Sequence, residues 1–261
     1  MKRPLAILIL GLLVWGCTDK KLERKGFQVS EISKDDKGKK IIGLPIDSLQ
    51  LDSQPRNVLL THYPDHRLTP LFKVNIDKDS GKPFTGSNRH HYTWREDNND
   101  GNNWNNHLMP GFSVVRGYNM INVSHYNYQT QSQNEFFKKP VLIKNLYYPS
   151  YSKDSLHYEP VSRDYYMISV YDEDSNQDGF INVQDLRRFY WFDIDGNLSE
   201  ALVPKIYSVM SSDYDAGNDL MYVSARLDEN QNGQMEAEEA IHIFWIDLKD
   251  PRKRGLQYKS S

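Results

Sequence analysis

Two twelve-residue stretches of this chain carry the same series of oxygen-bearing side chains in the same register. The first runs Asp174-Ser175-Asn176-Gln177-Asp178-Gly179-Phe180-Ile181-Asn182-Val183-Gln184-Asp185. The second runs Asp228-Glu229-Asn230-Gln231-Asn232-Gly233-Gln234-Met235-Glu236-Ala237-Glu238-Glu239. Side-chain oxygens at positions 1, 3, 5, 9 and 12, with a backbone carbonyl at 7, supply the ring of oxygens that Ca2+ takes. Glycine at position 6 permits the sharp turn that folds the acidic half over the ion. Each loop also carries an apolar residue at position 8, Ile181 or Met235.

The candidate ligands of a first ion are therefore Asp174, Asn176, Asp178, Phe180 through its carbonyl, Asn182 and Asp185. Those of a second are Asp228, Asn230, Asn232, Gln234 through its carbonyl, Glu236 and Glu239. Each set holds three acidic ligands. Asp185 is one carbon shorter than a glutamate at the closing position, which favours a single oxygen on the metal and makes the second site the expected tighter one.

These loops resemble those of EF-hand proteins, and the first, with Gly179-Phe180-Ile181-Asn182 and a terminal Asp185, resembles a dockerin loop. The resemblance covers about two dozen residues and implies a helix entering and leaving each loop. The flanks of this chain read otherwise. The entering segments Asp164–Tyr171 and Asp219–Leu227, and the leaving segments Phe189–Ile194 and Ile241–Leu248, are short and rich in aromatic and β-branched residues. Such residues suit a pleated strand. Each loop is thus expected to join two neighbouring strands. A helix pair that opens on calcium would have no counterpart here, so the expected role of the ions is to staple strand connections.

The segments around the loops recur. Met120-Ile121-Asn122-Val123-Ser124, Met167-Ile168-Ser169-Val170-Tyr171 and Met221-Tyr222-Val223-Ser224-Ala225 start 47 and 54 residues apart. After the first, Asn127–Gln133 carries amides where the calcium loops carry acids. Each unit is followed by a closing strand, the first at Val141–Leu146, and a weaker copy lies at Val58–His62 with Leu71–Ile76. Strand repeats of this length suggest propeller-like repeats of antiparallel strands. Some 200 residues allow only about four blades, the minimum for closure, so a β-sandwich is the alternative all-β architecture. Seventeen tyrosines and 12% aromatic residues agree with sheet faces and cross-strand pairs.

The chain opens with Met1-Lys2-Arg3 and an apolar run from Pro4 to Trp15, the form of a secretory leader. That run stops at Gly16-Cys17, which holds the single cysteine of the chain. A short apolar core ending in a small residue and cysteine resembles the lipobox of bacterial lipoproteins, with Trp15 bulkier than usual. The resemblance implies removal of residues 1–16, acylation of Cys17 and a membrane held through the lipid in the bacterial cell envelope, on the periplasmic or outer-membrane side. An ordinary secretory signal and an uncleaved anchor are the alternatives, although the run is short for a spanning helix. The charged, aperiodic stretch that follows reads as a flexible tether over 17–55, leading into a repeat domain over 56–261.

With no other cysteine, disulfides, zinc–thiolate sites and cysteine nucleophiles are excluded. A net charge of −3 gives no footprint for nucleic acid. Trp94–Trp104 contains a third acidic turn around Gly101, but in that register position 12 falls on His107 and the loop pattern fails. Asp77-Lys78-Asp79 and Asp213-Tyr214-Asp215 read as Asp turns capped on backbone amides. His62, His66, His90, His91 and His107 show no metalloprotease spacing, and serine-nucleophile and phosphate-loop motifs are missing. The expectation is a non-catalytic, calcium-binding lipoprotein offering a surface to a protein or glycan. A secreted carbohydrate- or peptide-acting hydrolase with structural calcium is one alternative, and a dockerin-like interaction module is another.

Overall fold

A computed structural model describes residues 26–46, 49–77, 80–85, 88–90, 109–149, 155–156 and 159–260. The leader over 1–16, Cys17, the 96–107 turn, His91 and His107 lie outside the described residues.

The protein is all-β, and every regular element among the described residues is a strand. In chain order the strands are β1 (Phe27–Gln28), β2 (Ser30–Lys34), β3 (Lys40–Pro45), β4 (Ser53–Pro55), β5 (Leu59–Leu60), β6 (His66–Ile76) and β7 (Pro83–Thr85). Next come β8 (Asn88–His90), β9 (Phe112–Asn127), β10 (Ser132–Glu135), β11 (Leu142–Pro149), β12 (Ser155–Leu156), β13 (Glu159–Pro160) and β14 (Tyr165–Tyr171). The last are β15 (Phe180–Ile181), β16 (Arg188–Asp193), β17 (Leu198–Ala201), β18 (Tyr207–Asp215), β19 (Leu220–Leu227), β20 (Ile241–Asp247) and β21 (Arg254–Lys259).

An antiparallel main sheet runs β17-β16-β14-β11-β9-β6-β4, with short strands added along β6 and β9. A second sheet runs β18-β19-β20-β21. Successive side chains of a strand point to opposite faces, and in β14 both faces are buried. Tyr165 and Met167 join Phe112, Tyr147 and Phe189 against Val209, Met221, Val223, Phe244 and Ile246 of the second sheet. Tyr166, Ile168 and Val170 face the other way, into a cluster with Leu68, Phe72, Val123 and Ile143. Phe136 and Phe137, just beyond β10, fill that second cluster; Phe136 stacks on Phe192 at 4.9 Å. Burial on both faces is why β14 reads as an apolar run interrupted only by Ser169.

Strand β9 pairs irregularly near its middle, where one sixteen-residue strand passes from one neighbour to the next. Its first half pairs with β11 and its second half with β6, and Met120 is shared between Ile143 and Phe72. At this irregularity, a Cβ on Gly117 would lie 2.7 Å from the Ile143 carbonyl oxygen, so only glycine lets the backbones approach.

The repeat units are arranged differently from propeller blades. The first two are hydrogen-bonded to one another through β9, β11, β14 and β16 in a single sheet, while the third forms the second sheet. The result is two packed antiparallel sheets, sandwich-like, rather than separate blades around an axis. A buried ion pair ties the sheets together. Arg163, beside β14, holds Asp219 with two bonds of 2.7 and 2.9 Å and donates to the Leu248 carbonyl at 2.6 Å.

The segment expected to be a tether over 17–55 contains structure from Phe27 onward. Strand β1 pairs with β15, β2 pairs with β3 as a hairpin, and β4 pairs with β6. Phe27, Val29, Leu49 and Leu51 pack with Ile121, Leu142, Tyr171 and Ile181. Their burial comes from residues far along the chain, while the lysine-rich stretch that looked like a spacer is the solvated hairpin turn between β2 and β3.

Candidate metal centre

Each calcium-type loop joins two hydrogen-bonded antiparallel neighbours. The first connects β14 to β16, paired from Tyr165↔Asp193 to Val170↔Arg188. The second connects β19 to β20, paired from Leu220↔Asp247 to Arg226↔Ile241. The sequence expectation of strands on both sides of each loop holds.

Within the loops the same hydrogen bonds recur position by position. Asp174 accepts from the amides of Asp178 (2.9 Å) and Gly179 (2.7 Å); Asp228 accepts from Asn232 (3.0 Å) and Gly233 (3.0 Å). Asn176 and Asn230 accept from those same position-5 amides at 3.0 and 2.9 Å. Asp178 and Asn232 accept from the position-7 amides of Phe180 and Gln234 at 2.9 and 2.8 Å. The closing carboxylates span positions 2 and 9. Asp185 accepts from Ser175 and Asn182 at 2.9 and 2.8 Å, and Glu239 from Glu229 and Glu236 at 3.1 and 2.9 Å. Positions 4 and 6 take positive φ in both loops: Gln177 and Gly179 at 54° and 86°, Gln231 and Gly233 at 55° and 73°. Two stretches of different sequence have thus folded into one backbone shape.

The arrangement turns the position 1, 3, 5 and 12 side chains into each loop, and in the second loop it also brings Asn230 within 2.8 Å of Glu236. Among the described residues, none of the loop carboxylates is ion-paired to a basic side chain. Asp185, Asp228 and Glu239 are nevertheless buried. Burial pushes the Asp185 carboxyl up to about 7, with the nearby Asp174 charge adding to the rise, against the pull of amides donating to it. Buried acids without counter-charge are costly unless a cation joins them, and each carboxylate oxygen that accepts one amide keeps a lone pair for a metal. The donor set of carboxylate, amide and carbonyl oxygens suits Ca2+. No three histidine, cysteine, aspartate or glutamate side chains form a ready cluster among the described residues. Half of the six ligand positions in each loop are amides or backbone carbonyls.

The two loops touch. The Ser175 hydroxyl, at position 2 of the first, donates to the Gly233 carbonyl, at position 6 of the second, over 2.7 Å, and accepts from the Leu186 amide at 2.7 Å. The approach is so close that a Cβ on Gly233 would sit 1.8 Å from the Ser175 carbonyl oxygen. Position 8 behaves differently in the two loops. Ile181 is buried and pairs with Phe27, whereas Met235 is largely exposed.

Sequence reasoning did not find Ser175, because position 2 carries no ligand and its partner lies 58 residues on. Among the histidines, His66 Nδ1 lies 2.9 Å from Nε2 of the buried His125, a hydrogen bond between rings that no third metal-type ligand joins among the described residues. Asp77 and Asp215 cap the backbone amides of Ser80 and Gly217, as Asp turns do. No protein-family model and no curated protein matches the chain.

Proposed function

We propose that this chain is a calcium-binding, non-catalytic lipoprotein of the bacterial cell envelope, in which two ions staple the β14–β16 and β19–β20 connections. The observation that carries this reading is the matched pair of loops, folded alike and lined by buried carboxylates without basic partners. Asp174, Asn176, Asp178, Asn182, Asp185 and the Phe180 carbonyl hold one ion. Asp228, Asn230, Asn232, Glu236, Glu239 and the Gln234 carbonyl hold the other. A bound ion neutralises the clustered acids and fixes a long connection that would otherwise fray. Binding to the folded state alone adds about 2.7 kcal/mol of stability at a hundredfold excess over Kd.

The anchoring half of the proposal rests on Gly16-Cys17 and on the resemblance of that run to a lipobox. A protein or glycan partner rests on analogy with other strand-built surface domains. Against the dockerin-like reading, the segments that would need to be helices after each loop are the strands Arg188–Asp193 and Ile241–Asp247.

Thermal unfolding with calcium and with chelator, paired with calorimetric titration, tests the reading. The expected result is two bound ions and a midpoint higher by several degrees, with one site removed by Asp174→Asn and the other by Asp228→Asn. Absence of binding and of any midpoint shift would overturn it.

A further inference from the structure

We infer that the amino-terminal segment 26–46 is a clasp for the first calcium loop, closing when that loop is ordered around its ion and raising its affinity in return. The inference rests on the calcium reading above.

The clasp follows the loop backbone from residue 178 to 181. Gln28 pairs with Phe180, the residue whose carbonyl is the position-7 ligand, and Phe27 pairs with Ile181. The Val29 amide donates to the Gly179 carbonyl at 2.9 Å. Lys40 donates its ammonium to the Asp178 carbonyl and lies 4.9 Å over the Phe180 ring. A Cβ on Gly179 would meet the ends of Ile32 and Ile42 at 3.1 and 3.3 Å, so the hairpin lies directly over the turn glycine. Gly26 takes φ +55°, and a Cβ there would lie 1.7 Å from the Ile181 carbonyl oxygen. The chain can enter this track only through a glycine.

These contacts fall on the part of the loop that carries a metal-bound carbonyl, so fixing the ion fixes the docking track. Phe27 and Val29 anchor the base of the clasp in the core, but the β2–β3 hairpin beyond them is held weakly, since β3 is exposed along its whole length and a two-stranded hairpin alone is marginal in water. The second loop has no such cover over its position-8 residue, because Met235 is largely exposed. Calcium at the first site is therefore coupled directly to the clasp, and calcium at the second only through the Ser175–Gly233 contact. Coupling of two binding events is reciprocal, so undocking the clasp weakens the first site by the same factor that calcium strengthens docking.

The test is hydrogen exchange by mass spectrometry on the leader-free chain, in calcium and in chelator, with calorimetric titration of Ca2+. The expected result is at least tenfold slower exchange of amides 27–46 in calcium, beyond any change across β19 and β20. Gly26→Val should remove that slowing and weaken the first site several-fold, more than it weakens the second. Lys40→Met is a milder variant that leaves the entry glycine intact and should shift both readouts the same way. Calcium binding with no selective change over 27–46, or undiminished first-site affinity in both variants, overturns the clasp while leaving the calcium reading standing. Failure of the wild-type chain to bind calcium overturns the reading beneath it.

Discussion

Ser175 and Gly233 hold the two loops together as one unit, hydroxyl to carbonyl over 2.7 Å. Ser175 also caps the Leu186 amide, and its own amide binds the closing carboxylate Asp185. A single serine thus links the second loop, the closing carboxylate of the first and the exit into β16.

Replacing Ser175 by alanine leaves the Gly233 carbonyl and the Leu186 amide without their partner. Unsatisfied polar groups cost about 1–3 kcal/mol each when buried, and this site is half-buried, so a total loss of about 1–3 kcal/mol is expected in urea unfolding with chelator. A change below about 0.5 kcal/mol, the range of ordinary surface substitutions, would show that the contact carries no weight.

The two turn glycines should differ in sensitivity. Gly179→Ala and Gly233→Ala both place a side chain at positive φ, but Gly233→Ala also drives a methyl against the Ser175 backbone at 1.8 Å. At Gly179 the nearest atoms are the flexible ends of Ile32 and Ile42, which can give. Gly233→Ala is therefore expected to lower the melting midpoint more than Gly179→Ala. Equal midpoints would mean that the loops separate in solution.

The Arg163–Asp219 pair is buried, with side chains 2% and 0% exposed. Asp219 also accepts from the Tyr214 hydroxyl at 3.1 Å. Removing one partner of such a pair costs about 3–5 kcal/mol, because the other charge is left uncompensated. Arg163→Leu should show a loss of that size in chemical denaturation, and adding Asp219→Asn should recover part of it. Strictly additive losses in the double-mutant cycle would rule out direct coupling.

Proton linkage gives the metal-free protein a distinctive pH dependence. Asp185 titrates near 7 when folded and at the ordinary aspartate value when unfolded. Between these values the folded chain holds a proton that the unfolded chain has released, so stability falls as pH rises from about 4 through 7. Calcium held as proposed needs the ionised carboxylate, so its stabilising increment would grow over the upper part of the same range. Melting midpoints from pH 5 to 8 in chelator should fall with a slope that Asp185→Asn reduces, the Asp172 carboxyl, also raised by burial, leaving a remainder. An unchanged slope in that variant would place the titration elsewhere.

The matching shape of the two loops was legible in the sequence because their oxygens and glycines lie within twelve consecutive residues, where local geometry decides the turn. The flanking strands were legible for the same reason, from runs such as Tyr165–Tyr171. The arrangement of those strands was not. Repeat spacings of 47 and 54 residues are equally compatible with separate blades and with neighbours in one sheet, and the choice rests on distant pairings such as Met120 with both Phe72 and Ile143. Phe27 and Val29 were hidden likewise. Set among charged residues, they show no periodicity, and only Ile121, Leu142 and Ile181 give them a core to join.

Where the amino-terminal strands dock also sets a distance. Gly26 lies nine residues beyond Cys17. If that cysteine carries the lipid, a chain of this length reaches about 30 Å from the membrane surface at full extension. Were the clasp to open as far as Leu49, which stays in the core, the same stalk would lengthen to thirty-two residues and reach about 110 Å. If the ion closes the clasp as proposed, ambient calcium would then set how far from that anchor the domain can reach.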